Sequence, residues 1–96
     1  MEILEIQKNL APIMAKYGIK RAAVFGSVSR GEDRSDSDLD LLVKLGDRPM
    51  GMLMYMQLIE EIERTLGHKV DLVTEGSTRF LKPYILKDLK VIYEKR

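Results

Sequence analysis

Stretches of helical and of extended hydrophobic spacing follow one another along the chain. Residues 2–17 and 50–66 carry apolar side chains three or four positions apart, which predicts two amphipathic helices. Short apolar runs at 19–25, 38–43 and 69–73 predict strands, because each is only a few residues long and is bounded by glycine or polar residues. Helices and strands therefore alternate along the chain.

The stretches between and after these elements complete the predicted order. Residues 27–37 are polar and rich in turn formers, which is typical of one short helical turn followed by a loop. Residues 78–89 predict a short helix, and residues 91–93 a final edge strand. This order predicts an α/β (α+β) fold, in which a small mixed sheet of three or four strands carries helices and a single domain spans residues 1–96.

The second predicted helix has apolar residues on two sides. One stripe at helical spacing is predicted to face the core, and it consists of Met52, Met56, Ile59, Ile62 and Leu66. Met50, Met54 and Leu58 form a second apolar stripe roughly opposite the first. Two interpretations of this second stripe stay open: the C-terminal segment covers it, or it contacts a protein partner, since methionine-rich surfaces suit adaptable contacts.

Composition excludes several classes of protein. The 96 residues are 45% hydrophobic and 32% charged, which predicts a folded chain, and the net charge of +1 argues against a nucleic-acid coating protein or a polybasic membrane binder. The sequence has no cysteine, so disulfides, thiolate zinc sites and a thiol nucleophile are excluded. Neither a membrane-spanning run nor a signal peptide is evident, and we therefore expect a cytoplasmic protein.

Three aspartates are candidates for a metal site. Asp38 and Asp40 lie two residues apart at the start of the second predicted strand, so their side chains project from the same face about 7 Å apart. Two carboxylates at that distance repel each other, and a hard divalent cation such as Mg²⁺ relieves the repulsion. Asp71 lies in the otherwise apolar third strand and joins the pair if the second and third strands are neighbours.

A glycine-serine turn supplies a matching anion site. Gly26 and Ser27 end the first predicted strand, where backbone N–H groups and a hydroxyl can contact phosphate. Taken alone, such a turn is usually only a turn, and a pair of aspartates is more often a solvated strand start. Three acids and this turn, each at a strand end, together predict a site for a metal-bound nucleoside triphosphate.

The same residues carry a resemblance to a known family. Gly26-Ser27, ten intervening residues and then Asp38-x-Asp40 resemble the signature of the polymerase-β-like nucleotidyltransferase superfamily. The flanking sequences VFGSVSRGE and SDSDLDLLV are similar to those of its minimal nucleotidyltransferase (MNT) branch, the small prokaryotic antitoxin-like proteins. Asp71, in KVDLV, falls where that family carries its third acid.

The resemblance implies roles for these residues. Asp38 and Asp40 would bind Mg²⁺, with two ions expected, and Asp71 would complete the metal site and act as general base toward the incoming hydroxyl. Gly26 and Ser27 would contact the triphosphate of ATP. Arg30 lies near this turn, and for it two interpretations stay open: assistance in nucleotide binding, or an ordinary exposed arginine.

The resemblance also implies an acceptor and a partner. In the MNT family, AMP is transferred from ATP to a tyrosine hydroxyl of a HEPN-domain toxin, and the transferase is the antitoxin of the pair. A non-catalytic antitoxin that neutralises its partner by complex formation is an alternative. A nucleotidyltransferase acting on a small molecule or an RNA end is a weaker one, because the chain offers no separate acceptor domain and is almost neutral. Neither membrane association nor direct binding of nucleic acid is expected.

Overall fold

The computed structural model describes residues 2–26, 28–31, 38–47, 49–75 and 89–95. Along the chain, the helices and strands of these residues are α1 (Ile3–Lys16), β1 (Arg21–Phe25), β2 (Leu39–Lys44), α2 (Met52–Leu66), β3 (Val70–Thr74) and β4 (Lys90–Glu94). None of the helices in this part of the chain is long and apolar enough to span a membrane. The predicted helix at 78–89 falls almost wholly outside the described residues and stays a prediction.

The first helix ends at the predicted glycine. Gly18 has a φ of +71°, a left-handed conformation that glycine adopts without steric cost. Its N–H donates to the Ala15 carbonyl at 3.2 Å, and the next N–H, of Ile19, donates to the Met14 carbonyl at 2.9 Å. These two hydrogen bonds close a Schellman motif, and they turn the chain directly from α1 into β1.

The strands form a mixed sheet, as predicted. In the described residues the strand order is β3-β2-β1-β4. β1 pairs antiparallel with both β2 and β4, whereas β2 and β3 are parallel. α2 connects this parallel pair, so that β2, α2 and β3 form a β-α-β unit. β4 is the edge strand predicted from residues 91–93.

The two helices cover one face of the sheet. The core cluster combines residues of both helices with the strand residues Ala22, Val24, Leu41, Leu72 and Ile92, among others. Along β1 and β2 the intervening residues point to the opposite face, because side chains alternate in a strand. α1 packs against β4, and α2 packs against β3. Asp40 lies on the sheet face opposite these helices, because side chains alternate along β2.

The core-facing side of α2 differs from the prediction. Met52 and Met56, predicted to be core residues, are 77% and 59% exposed, whereas Leu58, predicted to lie on the opposite stripe, is fully buried. Ile62 is buried, and Ile59, Leu66 and Met50 pack against the core as partly buried residues. The first turns of α2 are apolar on nearly every side, so spacing alone does not select a face. Packing of α2 against α1 and β3 selects it.

Candidate active site

Pairing of β2 with β3 brings two of the predicted acids together. Asp40 and Asp71 are direct register partners in the parallel ladder, and neighbouring strands lie about 4.8 Å apart. Partners in a ladder point to the same face, so both carboxylates lie on the face opposite α1 and α2. Asp38 precedes β2 by one residue and is exposed. The condition set by the sequence, that the second and third strands be neighbours, is therefore met.

Gly26 lies against Asp40. β1 ends at Phe25, the antiparallel partner of Asp40, and Gly26 follows with a φ of +77°. A Cβ atom at Gly26 would overlap the Oδ2 atom of Asp40 and would lie 3.1 Å from its Cγ. Glycine is thus required here for two reasons: the left-handed backbone, and the close approach of a carboxylate.

Two backbone hydrogen bonds of turns follow Gly26. The N–H of Arg30 donates to the Gly26 carbonyl at 3.2 Å, and the N–H of Gly31 donates to the Val28 carbonyl at 3.1 Å. Gly31, with a φ of +70°, ends this turn. A turn is thus observed at residues 28–31, and the helical character predicted for this stretch stays a prediction. Ser27, predicted to contact the triphosphate, lies outside the described residues.

Charge and burial act together on Asp40. Burial raises the pKa of the Asp40 carboxyl, the charges of Asp71 and Asp38 raise it further, and the positive charge of Arg30 lowers it. A carboxylate whose pKa is raised by neighbouring acids is the electrostatic situation that a cation relieves. The Arg30 residue is exposed.

The donor set suits a hard cation. Asp38, Asp40 and Asp71 offer only carboxylate oxygens, which are the ligands that Mg²⁺ prefers. Among the described residues, no three His, Cys, Asp or Glu side chains are grouped closely enough to form a metal site as they stand. The backbone therefore brings Asp40 and Asp71 into register, and the predicted metal ligation by the three acids stays a prediction.

The sequence did not single out two residues of α2 that contact the strand carrying Asp71. The hydroxyl of Tyr55 donates to the Leu72 carbonyl at 2.7 Å, and Oε2 of Glu63 accepts a hydrogen bond from the Val70 N–H at 2.9 Å. Burial raises the pKa of the Tyr55 hydroxyl, and the charge of Asp71 raises it further, so this group remains a donor at neutral pH. From sequence, Tyr55 resembles an ordinary rim residue of the core, because the partner is a backbone carbonyl of another element.

Comparison with known proteins identifies the family. Residues 8–96 match the family described as "Polymerase beta, Nucleotidyltransferase". A protein of Methanocaldococcus jannaschii, provisionally named a protein adenylyltransferase, is 40% identical over 89 residues, which are 92% of this chain and 95% of that protein. Protein adenylyltransferase MntA of Thermococcus cleftensis is 41% identical over 64 residues, covering 67% of this chain and 64% of that one.

Solved structures share the fold. One, described provisionally as a minimal nucleotidyltransferase, is 35% identical with a TM-score of 0.78 and covers 94% of this chain and 95% of its own. A toxin-antitoxin crystal structure with AMP-PNP has a TM-score of 0.79 at 19% identity, covering 94% of this chain and 74% of its own. A complex of a tri-AMPylated Shewanella oneidensis HEPN toxin with its MNT antitoxin has a TM-score of 0.73 at 16% identity, covering 98% and 74%. The chain is thus a nucleotidyltransferase: it belongs to the polymerase β nucleotidyltransferase family, within its minimal nucleotidyltransferase branch.

Proposed function

We propose that this nucleotidyltransferase uses Mg²⁺ and ATP to transfer AMP to a tyrosine hydroxyl of a HEPN-domain protein, and that it is the antitoxin of a toxin-antitoxin pair. The observation that carries the proposal is the cross-strand pairing of Asp40 with Asp71 beside the tight turn at Gly26. The relative from M. jannaschii, whose provisional name is protein adenylyltransferase, and the AMPylated HEPN toxin of the structural neighbour support this acceptor class.

The acids and the Gly26-Ser27 turn would have different roles: the acids would bind the metal, and the turn would bind the triphosphate. Asp38 and Asp40 would hold Mg²⁺, two ions being expected, and the metal would neutralise the phosphate charge that develops during transfer. Binding would draw the three carboxylates closer together than they stand. Gly26 and Ser27 would contact the triphosphate through backbone N–H groups and the serine hydroxyl. The positive charge of Arg30, which already acts on Asp40, would add to this contact.

The transfer step is an in-line displacement. The acceptor hydroxyl oxygen attacks the α-phosphorus of ATP, the bond from that phosphorus to the bridging oxygen breaks, and pyrophosphate leaves. The hydroxyl proton passes to the carboxylate of Asp71, which is exposed on the same face as Asp40. An exposed base can be reached by the hydroxyl of a protein acceptor.

A labelling experiment tests this function. Purified protein, Mg²⁺ and ATP labelled at the α-phosphate are added to lysate of its own host, and labelled protein bands are identified by mass spectrometry. The Asp38→Ala/Asp40→Ala and Asp71→Asn variants should lose labelling by at least about a hundredfold, because charge neutralisation and proton transfer are removed. Asp47→Asn, an exposed carboxylate between β2 and α2, is the matched control and should label normally.

The outcomes separate the proposal from its alternatives. A labelled HEPN-domain protein with AMP on tyrosine supports it. Label on RNA or on a small molecule moves the acceptor to that class, and labelling at the wild-type rate by the acid variants would contradict the mechanism.

Partner neutralisation without catalysis is the second candidate function. It is favoured by the exposed apolar surface at the start of α2, formed by Met52, Leu53 and Met56 and called here the α2 apolar face. These side chains are 77%, 73% and 59% exposed. A stable complex that forms equally well with the acid variants and blocks the partner's activity would support this function.

A further inference from the structure

Two hydrogen bonds hold the chain on both sides of Asp71. Glu63 accepts from the N–H of Val70, the residue before Asp71, and Tyr55 donates to the carbonyl of Leu72, the residue after it. Their lengths are 2.9 Å and 2.7 Å, and both connect β3 to α2. We call these two bonds the α2–β3 ties.

The position of β3 in the sheet gives these two bonds a structural role. β3 lies at one edge of the sheet and is paired in the described residues only with β2. In a strand, the backbone groups of residues two apart point to the same side. The Val70 N–H and the Leu72 carbonyl, which face away from β2, are bonded to α2, and Asp71 lies between these two bonded groups.

We propose that Tyr55 and Glu63 are positioning residues that hold Asp71 in register with Asp40. The inference rests on the proposed function, in which Asp71 receives the acceptor's proton and completes the metal site. Both ties bond main-chain atoms of β3 and not the Asp71 side chain, so both act on Asp71 through the backbone. A misplacement of about 1 Å at a reacting group lowers rates by up to about a hundredfold, so loss of one tie should slow transfer without abolishing it.

The Tyr55→Phe variant tests the first tie. It keeps the ring that packs against the core and removes the hydroxyl. We expect kcat for AMP transfer to fall about tenfold while KM for ATP stays within about twofold, because the triphosphate contacts are untouched. The matched control is Tyr17→Phe, which removes a hydroxyl that donates to Glu61 at 3.0 Å and so joins α2 to the end of α1 rather than to β3.

Three variants test the second tie. Glu63→Ala removes the acceptor for the Val70 N–H and should lower kcat to a similar extent, whereas Glu63→Gln retains a carbonyl oxygen and should restore most of it. Glu60→Ala, an exposed acid on the same helix, should behave as wild type. Equal kcat values for Glu63→Ala and Glu60→Ala would overturn the role of Glu63.

Hydrogen exchange provides a readout that does not depend on catalysis. In the protein without nucleotide, Tyr55→Phe and Glu63→Ala should exchange the β3 amides about tenfold faster, with the β1 amides unchanged. Tyr17→Phe should leave β3 as in wild type. Unchanged β3 exchange, or a kcat for Tyr55→Phe equal to that of Tyr17→Phe, would overturn the proposal. If the wild-type protein transfers no AMP, the proposed function fails, and the exchange rates alone decide whether the ties hold β3.

Discussion

The backbone of Gly26 approaches the Asp40 carboxylate so closely that no side chain fits between them. The turn proposed to bind the triphosphate and the acid proposed to bind the metal are thus in contact before either ligand arrives. A change at the turn is transmitted directly to the acid.

A methyl group at Gly26 should therefore damage the acid site. In Gly26→Ala the new Cβ displaces the Asp40 carboxylate, and the left-handed φ of +77° adds backbone strain. We expect AMP transfer to fall by at least about a hundredfold, and the free energy of unfolding to fall by about 1–2 kcal/mol or more. Initial rates and denaturant unfolding measure the two effects.

Gly31→Ala separates the strain from the collision. Gly31 has a φ of +70°, but, its chain neighbours aside, no heavy atom of the described residues lies within 4 Å of the Cβ position. The variant should lose about 1–2 kcal/mol of stability and retain most of its activity. If Gly31→Ala loses as much activity as Gly26→Ala, contact with Asp40 is not the cause.

The acid site should make stability depend on pH. The pKa of Asp40 is raised in the folded protein above its ordinary value of 3.8, so folding disfavours its ionised form. This cost is fully present above the folded-state pKa, and it disappears as pH falls below the unfolded-state value. Without Mg²⁺, Asp40→Asn should unfold at higher denaturant concentration than wild type at pH 7, and the difference should vanish near pH 3.

Mg²⁺ should stabilise the folded protein through the negative charge of Asp40. Mg²⁺ should stabilise the wild-type protein at pH 7 more than it stabilises Asp40→Asn, because the ligand is missing in the variant. Asp47→Asn is the control for loss of one exposed carboxylate and should respond as wild type. An equal Mg²⁺ effect in all three proteins would remove Asp40 from the metal site.

The orientation of α2 is testable by two truncations. Leu58 is fully buried, and Leu58→Ala should lower the free energy of unfolding by about 2–5 kcal/mol. Met56 is 59% exposed, and Met56→Ala should change it by no more than about 0.5 kcal/mol. The sequence prediction places Met56 in the core and requires a large loss for Met56→Ala, so denaturant unfolding of the two variants tests which residues of α2 face the core.

The α2 apolar face should matter for partner binding alone. Replacing Met52 and Leu53 with glutamate places charge on two largely exposed side chains, so stability should change by less than about 0.5 kcal/mol each. If the partner covers this face, affinity should fall about tenfold or more per buried side chain, measured by calorimetry with the purified HEPN protein. Unchanged affinity would place the interface elsewhere. Leu58 is unsuitable for this test because it is a core residue.

Most of the fold could be predicted from local sequence. The spacing in α1 selects one face, and Ile6, Leu10 and Ile13 are buried as that spacing predicts. Gly18 and Gly67 end their helices in left-handed conformations, which glycine favours. The buried face of α2 is predicted wrongly from the sequence, because methionine and leucine lie on nearly every side of its first turns. Packing against neighbouring elements then determines which of the equally apolar sides is buried, and this depends on tertiary contacts.

The sequence names candidate site residues, whereas it gives no sign of the two residues that hold β3 against α2. Asp38, Asp40 and Asp71 are recognisable as carboxylates at a strand start and in an apolar run, and the condition that the second and third strands be neighbours is met. Tyr55 and Glu63 carry no such signal, because they bond backbone atoms that every residue has. Their importance depends on which strand lies at the edge of the sheet, and a local pattern does not contain that.

The parallel pairing of β2 with β3 also sets when the enzyme becomes competent during its synthesis. β1 and β2 are antiparallel neighbours and can pair as soon as both have left the ribosome, whereas β3 reaches its place only after α2 has crossed the sheet. A nascent chain that stops short of β3 holds Asp38 and Asp40 without their third companion. Such a product would also lack β4, so it would retain only the β1–β2 pair of the sheet and would carry no Asp71.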